Sequence, residues 1–482
     1  MIRNDKYEAV IGLEVHIQLL TRSKLFCGDS ASFGAAPNTH ISPITLAHPG
    51  VLPKMNKKAI EFAIKLGLAL NCKIEQQNYF ARKNYFYPDL PKGYQLSQHT
   101  TPICKNGFVR IKVNGAERNI QLNRIHIEED AGKSLHDVDE EYTAIDLNRA
   151  GVPLLEIVSE PDLHSSDEAF AYITELRRLV RWLDICDGNM EEGSLRCDAN
   201  ISIRLKGENK LGTRVEVKNL NSIRNVKKAI DLEVPRLIGI IETGEAILQE
   251  TRSFDPASGG STFSLRNKEE ADDYRYFPDP DLTPFYITDD FLQQVRHSLP
   301  VLPEELEIKY REVYHLPVYD AQVICSDKSL VNYFEDLVRH TTNYKGAVNW
   351  LMGPIKSYLN DHGIEMDKFP LSPVKIAALI QLVDDGKVNF SIASTKILMA
   401  LLLSPQKDPL QIATALNLIQ ESDSSSVASW VDEVIAKMPD KVKEYKSGKK
   451  GLIGLFAGEV KRLSKGKADM LVVNKLLAEK LN

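Results

Sequence analysis

The chain has 482 residues, of which 43% are hydrophobic and 26% charged, and its formal net charge is −6. This length is too great for one ordinary core, so two or three domains are expected in a soluble globular protein. No apolar run reaches the length of a membrane span, and the first eight residues lack the features of a signal or transit peptide. We therefore expect a cytoplasmic protein without membrane association. Its six cysteines have no paired spacing, which argues against a disulfide framework and a zinc knuckle.

Short alternating runs dominate the chain up to about residue 290. At 12–19 the alternation places Glu14, His16 and Gln18 on one face of a strand. Asn114-Gly115 follows an alternating run and predicts a β-hairpin. A Ser-Ser-Asp-Glu start followed by apolar residues at helical spacing predicts a helix over 165–184. Strands interspersed with helices predict an α+β domain.

The most informative strand lies within Glu-Glu-Gly-Ser-Leu-Arg-Cys-Asp-Ala-Asn-Ile-Ser-Ile-Arg at 191–204. Polar and apolar residues alternate there, so Arg196, Asp198 and Asn200 share one face. Arginines, a carboxylate and an amide are more typical of a ligand-facing surface than of an exterior rich in Lys and Glu. Taken alone, a solvated sheet face is the simpler interpretation.

Two further carboxylate groups strengthen the ligand interpretation. One is Ile-His-Ile-Glu-Glu-Asp at 125–130, and the other is at 153–161, where Glu156 interrupts an apolar strand. With Glu14 and His16, they predict carboxylates and one imidazole drawn from several strands. Mg²⁺ that binds nucleotide phosphates prefers oxygen ligands such as these carboxylates. A site with a single histidine among carboxylates is less suited to zinc.

Two other functional motifs, a phosphate-binding loop and a serine hydrolase motif, are not supported by the sequence. Asp130-Ala-Gly-Lys-Ser ends like a phosphate-binding loop, but Ile127 stands where the first glycine is required. A turn is therefore predicted at Gly132-Lys133-Ser134. No Gly-x-Ser-x-Gly motif surrounds Ser222 or the other serines, which argues against a serine hydrolase.

From about residue 300 the pattern changes to one helix after another. The predicted joints are the Leu-Pro pairs that begin at 299 and 302, and either Ser404-Pro405 or Asp408-Pro409. Residues 441–482 hold eleven Lys and Arg against four Asp and Glu, a net of +7, which leaves −13 (−6 minus 7) on the rest. A basic end predicts contact with a nucleic-acid backbone, with a solvated helical surface as the alternative. The candidate contacts are Lys449, Lys450, Lys461 and Arg462.

Nine strings are long and specific enough to identify a family. They are Ile11-Gly-Leu-Glu-Val-His, Arg82-Lys-Asn-Tyr-Phe-Tyr-Pro-Asp, Glu128-Glu-Asp-Ala-Gly-Lys-Ser, Asp146-Leu-Asn-Arg, Glu156-Ile-Val-Ser-Glu-Pro-Asp, Met190-Glu-Glu-Gly-Ser-Leu-Arg-Cys-Asp-Ala-Asn-Ile-Ser, Glu216-Val-Lys-Asn-Leu-Asn-Ser, Gln249-Glu-Thr-Arg and Asp272-Asp-Tyr-Arg-Tyr-Phe-Pro-Asp-Pro-Asp. From about residue 8 to the C-terminus, the chain resembles the B subunit of the tRNA-dependent aspartyl/glutamyl amidotransferase, the GatB family.

The resemblance implies an architecture. An α+β cradle domain related in fold to glutamine synthetase, with a largely antiparallel sheet, is expected at 1–292. An all-α helical domain is expected at 293–407. A small all-α, YqeY-like tail that contacts tRNA is expected at 408–482.

The resemblance also implies an activity. In this family the B subunit binds Glu-tRNA(Gln) or Asp-tRNA(Asn), phosphorylates the misacylated side chain from ATP with Mg²⁺, and presents the acyl phosphate to ammonia. The A subunit, an amidase, releases that ammonia from glutamine and a tunnel carries it, while the small C subunit wraps both. A heterotrimeric carbon–nitrogen ligase is thus expected, and the sequence leaves open which of the two aminoacyl-tRNAs is used.

By the resemblance, several residues receive roles. Those that match metal-binding positions are Glu14, His16, Glu129 and Glu156, with Glu128 close by. Lys83, with Arg82 beside it, matches a nucleotide-contacting position, and Arg196, Asp198 and Asn200 are expected on the catalytic face. Each has a simpler alternative: a hydrogen-bonded strand histidine for His16, a solvated turn for Glu128 and Glu129, and an ion pair for Arg196 with Asp198.

One departure from the family concerns zinc. Many relatives carry four cysteines near the N-terminus, but here the corresponding positions are Cys27, Asp29, Ser42 and Thr45. One thiol cannot hold that zinc, so we expect no zinc and a loop over 25–50 held by packing.

Two alternatives to an ATP-dependent ligase subunit stay open. A non-catalytic tRNA-binding scaffold would explain the basic tail but not the carboxylates on buried strands. A small-molecule amide ligase of the glutamine synthetase type would explain the carboxylates but not the basic tail.

Overall fold

The computed structural model of the chain describes residues 6–136, 138–256, 260–267, 274–419, 424–464 and 468–481. Asp272 and Asp273 of the ninth string and residues 465–467 of the basic tail lie outside the described residues. The chain divides into two compact units, Met1–Leu302 and Pro303–Asn482. In the described segments, no helix combines the length and the apolar character that a membrane crossing requires.

The first unit contains the strands and the first four helices. The strands are β1 (Tyr7–Gln18), β2 (Lys73–Ile74), β3 (Gln77–Asn78), β4 (Ala81–Asn84), β5 (Tyr94–Ser97), β6 (Cys104–Lys105), β7 (Phe108–Val113), β8 (Ala116–Glu129), β9 (Lys133–Leu135), β10 (Ala144–Asp146), β11 (Pro153–Ser159), β12 (Leu195–Leu205), β13 (Val215–Lys218), β14 (Glu250–Asp255), β15 (Ser261–Asn267), β16 (Phe277–Pro278) and β17 (Phe285–Tyr286). The helices are α1 (Lys57–Ala69), α2 (Ser166–Trp182), α3 (Ile223–Glu242) and α4 (Asp289–His297).

A ten-stranded sheet organises this unit. Its order is β15-β14-β13-β12-β1-β11-β8-β6-β2, with β7 paired to β8, and every pairing except β13 with β14 is antiparallel. The predicted hairpin joins β7 to β8 at Asn114 and Gly115, whose φ angles of 53° and 80° suit a tight two-residue turn. The α+β class with a mostly antiparallel sheet is confirmed.

One face of the sheet is covered by helices and forms the core. Alternate residues of β1 and β12 are fully buried there, among them Leu13, Val15 and Ile201. Helix α1 contacts β8, α2 contacts β7, and α3 contacts β12. The predicted helix is α2, which begins after Ser165, whose side chain accepts a hydrogen bond from the backbone N–H of Glu168. Because side chains alternate across a strand, the polar residues of β1 and β12 must lie on the opposite face.

Ile157→Ala should measure how much this core contributes to stability. Ile157 is fully buried in the central strand β11, so removing its methyl groups should lower the free energy of unfolding by about 2–5 kcal/mol. Leu232 on α3 is 43% exposed, and Leu232→Ala should change that free energy by about 0.5 kcal/mol or less. Urea denaturation of both variants checks the difference, and equal effects would contradict the placement of the core.

The second unit is helical throughout its described segments. Its α-helices are α5 (Pro303–Glu312), α6 (Val318–Ile324), α7 (Lys328–Leu337), α8 (Tyr344–Trp350), α9 (Lys356–His362), α10 (Pro373–Asp384), α11 (Phe390–Ile392), α12 (Leu398–Leu403), α13 (Pro409–Ala415), α14 (Ser424–Lys437), α15 (Pro439–Lys446), α16 (Ile453–Leu463) and α17 (Met470–Leu481). Short π-helical turns occur at Leu351–Ile355 and Ala393–Ile397, and 3₁₀ turns at Met366–Lys368 and Lys450–Leu452.

The end of the chain has a hydrophobic core of its own. Val427, Val431, Phe456, Val473 and Leu477 are fully buried within one cluster formed by α14–α17. Helix α13 packs elsewhere. It contacts α10 and α12, and its Ala413 is fully buried.

The predicted boundaries at 292/293 and 407/408 stay predictions. The first compact unit extends to Leu302, ten residues beyond 292 (302 − 292), and α4 contacts α1 within that unit. Helix α13 lies after the predicted joint at 408, but it contacts α10 and α12. The separate hydrophobic core of the tail therefore begins with α14.

Candidate functional site

A row of polar side chains crosses the sheet on the face opposite α1–α3. In the register of the strands, His16 pairs with Arg196 of β12 on one side and with Glu156 of β11 on the other, and Glu156 pairs with His126 of β8. Glu14 pairs with Asp198. Residues from four separate segments of the chain are thereby brought into one row.

Two carboxylates and two imidazoles meet at the centre of this row. His16 Nε2 lies 3.5 Å from Glu128 Oε1 and 3.6 Å from Glu156 Oε2. His126 Nε2 lies 3.0 Å from Glu156 Oε2 and 3.4 Å from Glu128 Oε2. We call these four residues the acidic centre. Each carboxylate is thus approached by both imidazoles.

Charge in the acidic centre shifts the pKa values of His16, His126 and Glu156. Burial alone would lower the pKa of His16, but hydrogen bonding to Glu156 and the charges of Glu156 and Glu128 raise it. For His126, burial is likewise outweighed by Glu156 and Glu128, which raise its pKa to about 9. The pKa of Glu156 is held well below its ordinary value, because His126 and His16 outweigh its burial. The carboxylate of Glu156 is therefore stabilised by positive charge.

The acidic centre fits a divalent cation. In the described part of the chain, one group of three or more potential ligands converges, namely His16, Glu128 and Glu156, with one atom from each within 4.8 Å of the others. Carboxylate oxygens with an imidazole suit Mg²⁺ or Mn²⁺, and three protein ligands leave positions for phosphate oxygens. The side chain of His16 is 20% exposed while that of Glu128 is 6% exposed, so the centre opens on the side of His16.

A second polar group adjoins the acidic centre. Asn200 Nδ2 donates to Glu14 Oε1 over 2.9 Å, and Lys218 Nζ donates to Asp198 over 2.6 Å and lies 3.1 Å from Glu216. Burial and the charge of Glu156 raise the pKa of Glu14. Glu14, Asp198 and Asn200 thus lie on the predicted face, beside the converging ligands.

Arg196 lies on the other side of His16. Its guanidinium donates to Asp130 Oδ2 over 3.1 Å, and Gln18 donates to the same oxygen over 2.9 Å. Burial would lower the pKa of Arg196, but Asp130 outweighs it and keeps the side chain cationic. The alternative predicted from the sequence was an ion pair between Arg196 and Asp198. In the structure Arg196 instead pairs with Asp130, and Asp198 pairs with Lys218.

Glu129 does not join the acidic centre. Its side chain is 4% exposed, accepts a hydrogen bond from Lys92, and accepts another from the backbone N–H of Leu96 over 2.9 Å. It lines a separate small pocket with Lys24, Cys27 and Thr45. Because successive side chains of a strand point to opposite faces, β8 cannot present both Glu128 and Glu129 to one cation.

Arg82 and Lys83 have different surroundings. Arg82 donates to Asp279 over 2.5 Å and to Asp281 over 3.0 Å, so its charge is already engaged. Lys83 Nζ lies 4.7 Å from the ring centre of Tyr274 and 5.6 Å from that of Tyr85, and among the described residues it forms no ion pair. Of the two, Lys83 is the better placed to accept an anionic ligand.

The four basic tail residues are exposed and occupy the two ends of α16. Lys449 pairs with Glu444 over 3.1 Å and Arg462 with Glu459 over 2.8 Å, while Lys450 lies 4.3 Å from the ring centre of Tyr445. Exposed pairs of this kind contribute little energy and can be exchanged for phosphate. Helix α16 has 11 residues, so the two basic groups are about 16 Å apart.

His126 and Lys218 lie in the site but were not predicted from the sequence. His126 stands two residues before Glu128 in Ile-His-Ile-Glu, and Lys218 stands two residues after Glu216 in Val-Glu-Val-Lys. The alternation of two residues per repeat, which identified Arg196 and Asp198, would have placed both on the polar face.

In the loop over 25–50, hydrogen bonds join residues at the positions where the family resemblance led us to look for zinc ligands. Cys27 Sγ lies 3.5 Å from Thr45 Oγ1, and the hydroxyl of Thr45 donates to Asp29. Nearby, the fully buried Lys24 donates to the carbonyls of His40 over 2.7 Å and Leu147 over 3.2 Å. A single thiol with a hydroxyl and a carboxylate does not fit structural zinc, which takes four cysteine or histidine ligands.

Elemental analysis should therefore find no stoichiometric zinc in the purified, untagged protein. The melting temperature should also be unchanged by a zinc-selective chelator that leaves Mg²⁺ in place, because no zinc ion is predicted to hold the loop. One tightly bound zinc per chain would contradict this and would point to other ligands, such as His40 or His48.

Known proteins resemble the chain in both units. A family model described as the GatB/GatE catalytic domain matches residues 9–293, and one described as a GatB domain matches 332–481. A protein of Syntrophotalea carbinolica, named as the B subunit of an aspartyl/glutamyl-tRNA(Asn/Gln) amidotransferase, is 48% identical over 477 residues, 99% of each chain. Proteins of the same name from Geobacter sulfurreducens and Geotalea daltonii are 49% and 50% identical and cover 98% and 99% of this chain and 99% of their own lengths.

The match over residues 9–293, the part of the chain that contains the antiparallel sheet and its polar row, places the first unit among GatB/GatE catalytic domains. The similarity extends over nearly the whole chain. The chain belongs to the family of aspartyl/glutamyl-tRNA(Asn/Gln) amidotransferase B subunits, and the family predicted from the nine strings is confirmed.

Proposed function

We propose that this chain is the aminoacyl-tRNA-binding, ATP-dependent subunit of a glutamine-hydrolysing amidotransferase. It converts Glu-tRNA(Gln), Asp-tRNA(Asn) or both to the corresponding amides. The predicted amidotransferase role and the carbon–nitrogen ligase class are confirmed by identities of 48–50% to proteins of that name. The structural observation that carries the proposal is the convergence of His16, Glu128 and Glu156 on the open face of the sheet.

The chemistry explains why a cationic, phosphate-binding site is needed. A carboxylate is a poor electrophile, because replacing its oxygen by nitrogen would require oxide to leave. In the first step an oxygen of the misacylated side chain attacks the γ-phosphorus of ATP, and ADP leaves. In the second step ammonia attacks the acyl carbon, phosphate leaves, and the nitrogen loses a proton to give the amide.

In this proposal His16, Glu128 and Glu156 would hold Mg²⁺, and Glu14 lies beside them. The ion would neutralise phosphate charge as the γ-phosphoryl group is transferred. Glu14 is oriented by Asn200, and its carboxylate adds negative charge at the edge of the acidic centre. Glu129 is not included among the ligands, because Lys92 and the backbone of Leu96 already engage it on the opposite face.

Cationic side chains would position the phosphates. Arg196 is fixed by Asp130 through one nitrogen, and among the described residues its other N–H groups have no hydrogen-bond partner, so they could bind a phosphate oxygen. Lys83 is the proposed nucleotide contact, whereas Arg82 orders its own strand through Asp279 and Asp281. Asp198 acts indirectly by orienting Lys218. Charge stabilisation by such fixed groups is often the largest part of catalysis of phosphoryl transfer.

We further propose the partners that the family implies. The amidase, or A subunit, would supply ammonia, the small C subunit would complete the heterotrimer, and the exposed basic residues at the ends of α16 would contact tRNA phosphates. A cytoplasmic location is also proposed, since all six cysteines are free and translation takes place there.

Measuring ATP hydrolysis by the reconstituted complex tests this function. ADP release should require both Mg²⁺ and misacylated tRNA, with uncharged tRNA as the control. A non-catalytic tRNA-binding scaffold would bind tRNA but release no ADP. A small-molecule amide ligase would hydrolyse ATP with free glutamate or aspartate in place of the aminoacyl-tRNA.

A further inference from the structure

We propose that His126 is a positioning residue of the acidic centre, which holds the carboxylates of Glu128 and Glu156 in the orientation that faces the cation. The inference rests on the proposed metal-dependent function, and it adds a residue outside the set of ligands predicted from the sequence. His126 would act through the two carboxylates and would not touch the substrate.

The contacts of His126 support this role. Its Nε2 is 3.0 Å from Glu156 Oε2 and 3.4 Å from Glu128 Oε2, so one ring nitrogen reaches both carboxylates. His16, Glu128 and Glu156 form the converging group of potential ligands, and His126 approaches the same carboxylates from β8. An imidazole placed between two ligands limits the rotation of both.

The burial of His126 argues against a role in filling space. The side chain is 6% exposed, and among the described residues its Nδ1 has no hydrogen-bond partner. A buried polar atom without a partner costs free energy, which an apolar ring of similar size would avoid. The polar contacts of the buried ring are therefore those of Nε2, and they go to Glu156 and Glu128.

Few other described groups can orient these carboxylates. Glu156 is contacted by His16 and His126, and Glu128 is contacted by the same two rings and more distantly by the hydroxyl of Ser97, 3.5 Å away. His16 lies on the open side and is itself a proposed ligand. Removing His126 would therefore remove the contacts that hold Glu128 and Glu156 on the side away from His16. Residues that orient metal ligands typically contribute about 10–100-fold to metal affinity.

The experiment measures binding of Mn²⁺ alone to the full-length chain, by calorimetry or by the EPR signal of free Mn²⁺, without nucleotide or tRNA. His126→Phe keeps the shape of a ring but loses both nitrogens, and it should weaken Mn²⁺ binding about 10–100-fold. His126→Gln keeps an N–H at a comparable distance from the backbone and should recover part of that loss. His164→Gln is the matched control, because His164 contacts the carbonyl of Ala9 and is exposed.

The outcomes separate this inference from the proposed function. Glu156→Gln should abolish tight Mn²⁺ binding, and if it binds like the unaltered chain, the metal centre itself is wrong. If Glu156→Gln loses the ion while both His126 variants bind normally, only the positioning role is wrong. Should His126→Phe fail to fold by circular dichroism, His126→Gln decides: weakened binding with an unchanged melting temperature supports the proposal, and unchanged binding overturns it.

Discussion

Glu156→Gln is expected to lower ATP-dependent phosphorylation of the aminoacyl-tRNA by about 100-fold or more, the scale on which removal of an electrostatic interaction acts in a reaction centre. The amide keeps the shape of the side chain but removes the charge. That charge is the one that both His16 and His126 approach, within 3.6 Å and 3.0 Å. Single-turnover transfer of ³²P from labelled ATP, across a range of Mg²⁺ concentrations, measures the effect directly. Glu14→Gln should act in the same direction, because Glu14 adjoins the acidic centre.

A matched control is available at the end of the same strand. Glu160 follows β11 and accepts a hydrogen bond from Asn123 at an exposed site, so Glu160→Gln should leave phosphorylation within about twofold. Glutamine hydrolysis by the partner amidase on its own should survive in all three variants. If Glu156→Gln and Glu14→Gln both retained normal rates, the acidic centre would not be the site of phosphoryl transfer.

The polar face of the sheet was predictable because strands repeat every two residues. Alternation alone puts Glu14 and His16 together on β1, and Arg196, Asp198 and Asn200 together on β12. The sequence could not show that β1 lies between β12 and β11, since pairing depends on contacts between distant segments. Only this order brings His16 beside Glu156.

The assignment of Glu128 and Glu129 illustrates a limit of motif comparison. Both residues lie in the string that identified the family, and both were predicted near the metal. A shift of one residue along a strand exchanges the two faces of the sheet. Since β8 continues through Glu129, Glu128 turns to His16 while Glu129 turns to Lys92. Residues two apart on a strand share a face, so His126 lies on the same face as Glu128 and Glu129 does not. The motif alone did not contain this information.

Removal of residues 419–482 is expected to raise the KM for aminoacyl-tRNA at least about tenfold and to leave ATP binding to the first unit intact. Within the removed segment, residues 441–482 carry a net charge of +7, and their exposed lysines and arginine are the proposed phosphate contacts. Truncation after Leu418 keeps α13, whose Ala413 carbonyl accepts a hydrogen bond from Leu418 N–H and whose neighbours are α10 and α12. Truncation at 408 would also remove α13 and expose the surface that it covers.

Salt dependence distinguishes removal of phosphate contacts from general damage. Removing one phosphate contact should reduce the slope of log affinity against log salt concentration by about 0.7–0.9. The truncated chain should therefore show weaker tRNA binding and a flatter salt dependence, with circular dichroism and nucleotide binding confirming that the rest is folded. An unchanged KM for tRNA, or loss of ATP binding, would show instead that the tail supports the fold of the whole chain.

The glycines of α16 allow a finer test of how the tail binds. Gly454 and Gly458 are four residues apart, and a Cβ at either position would meet open space, so no other described helix closes the face they share. Replacing both by Ala should stabilise α16, by up to about 1 kcal/mol per position. If tRNA lies close against this face, larger residues such as Leu at the same positions should raise the KM for tRNA while the alanine variant melts at a higher temperature. Equal KM values for the leucine, alanine and unaltered chains would mean that tRNA is bound by the basic ends of α16 without contact along the glycine face.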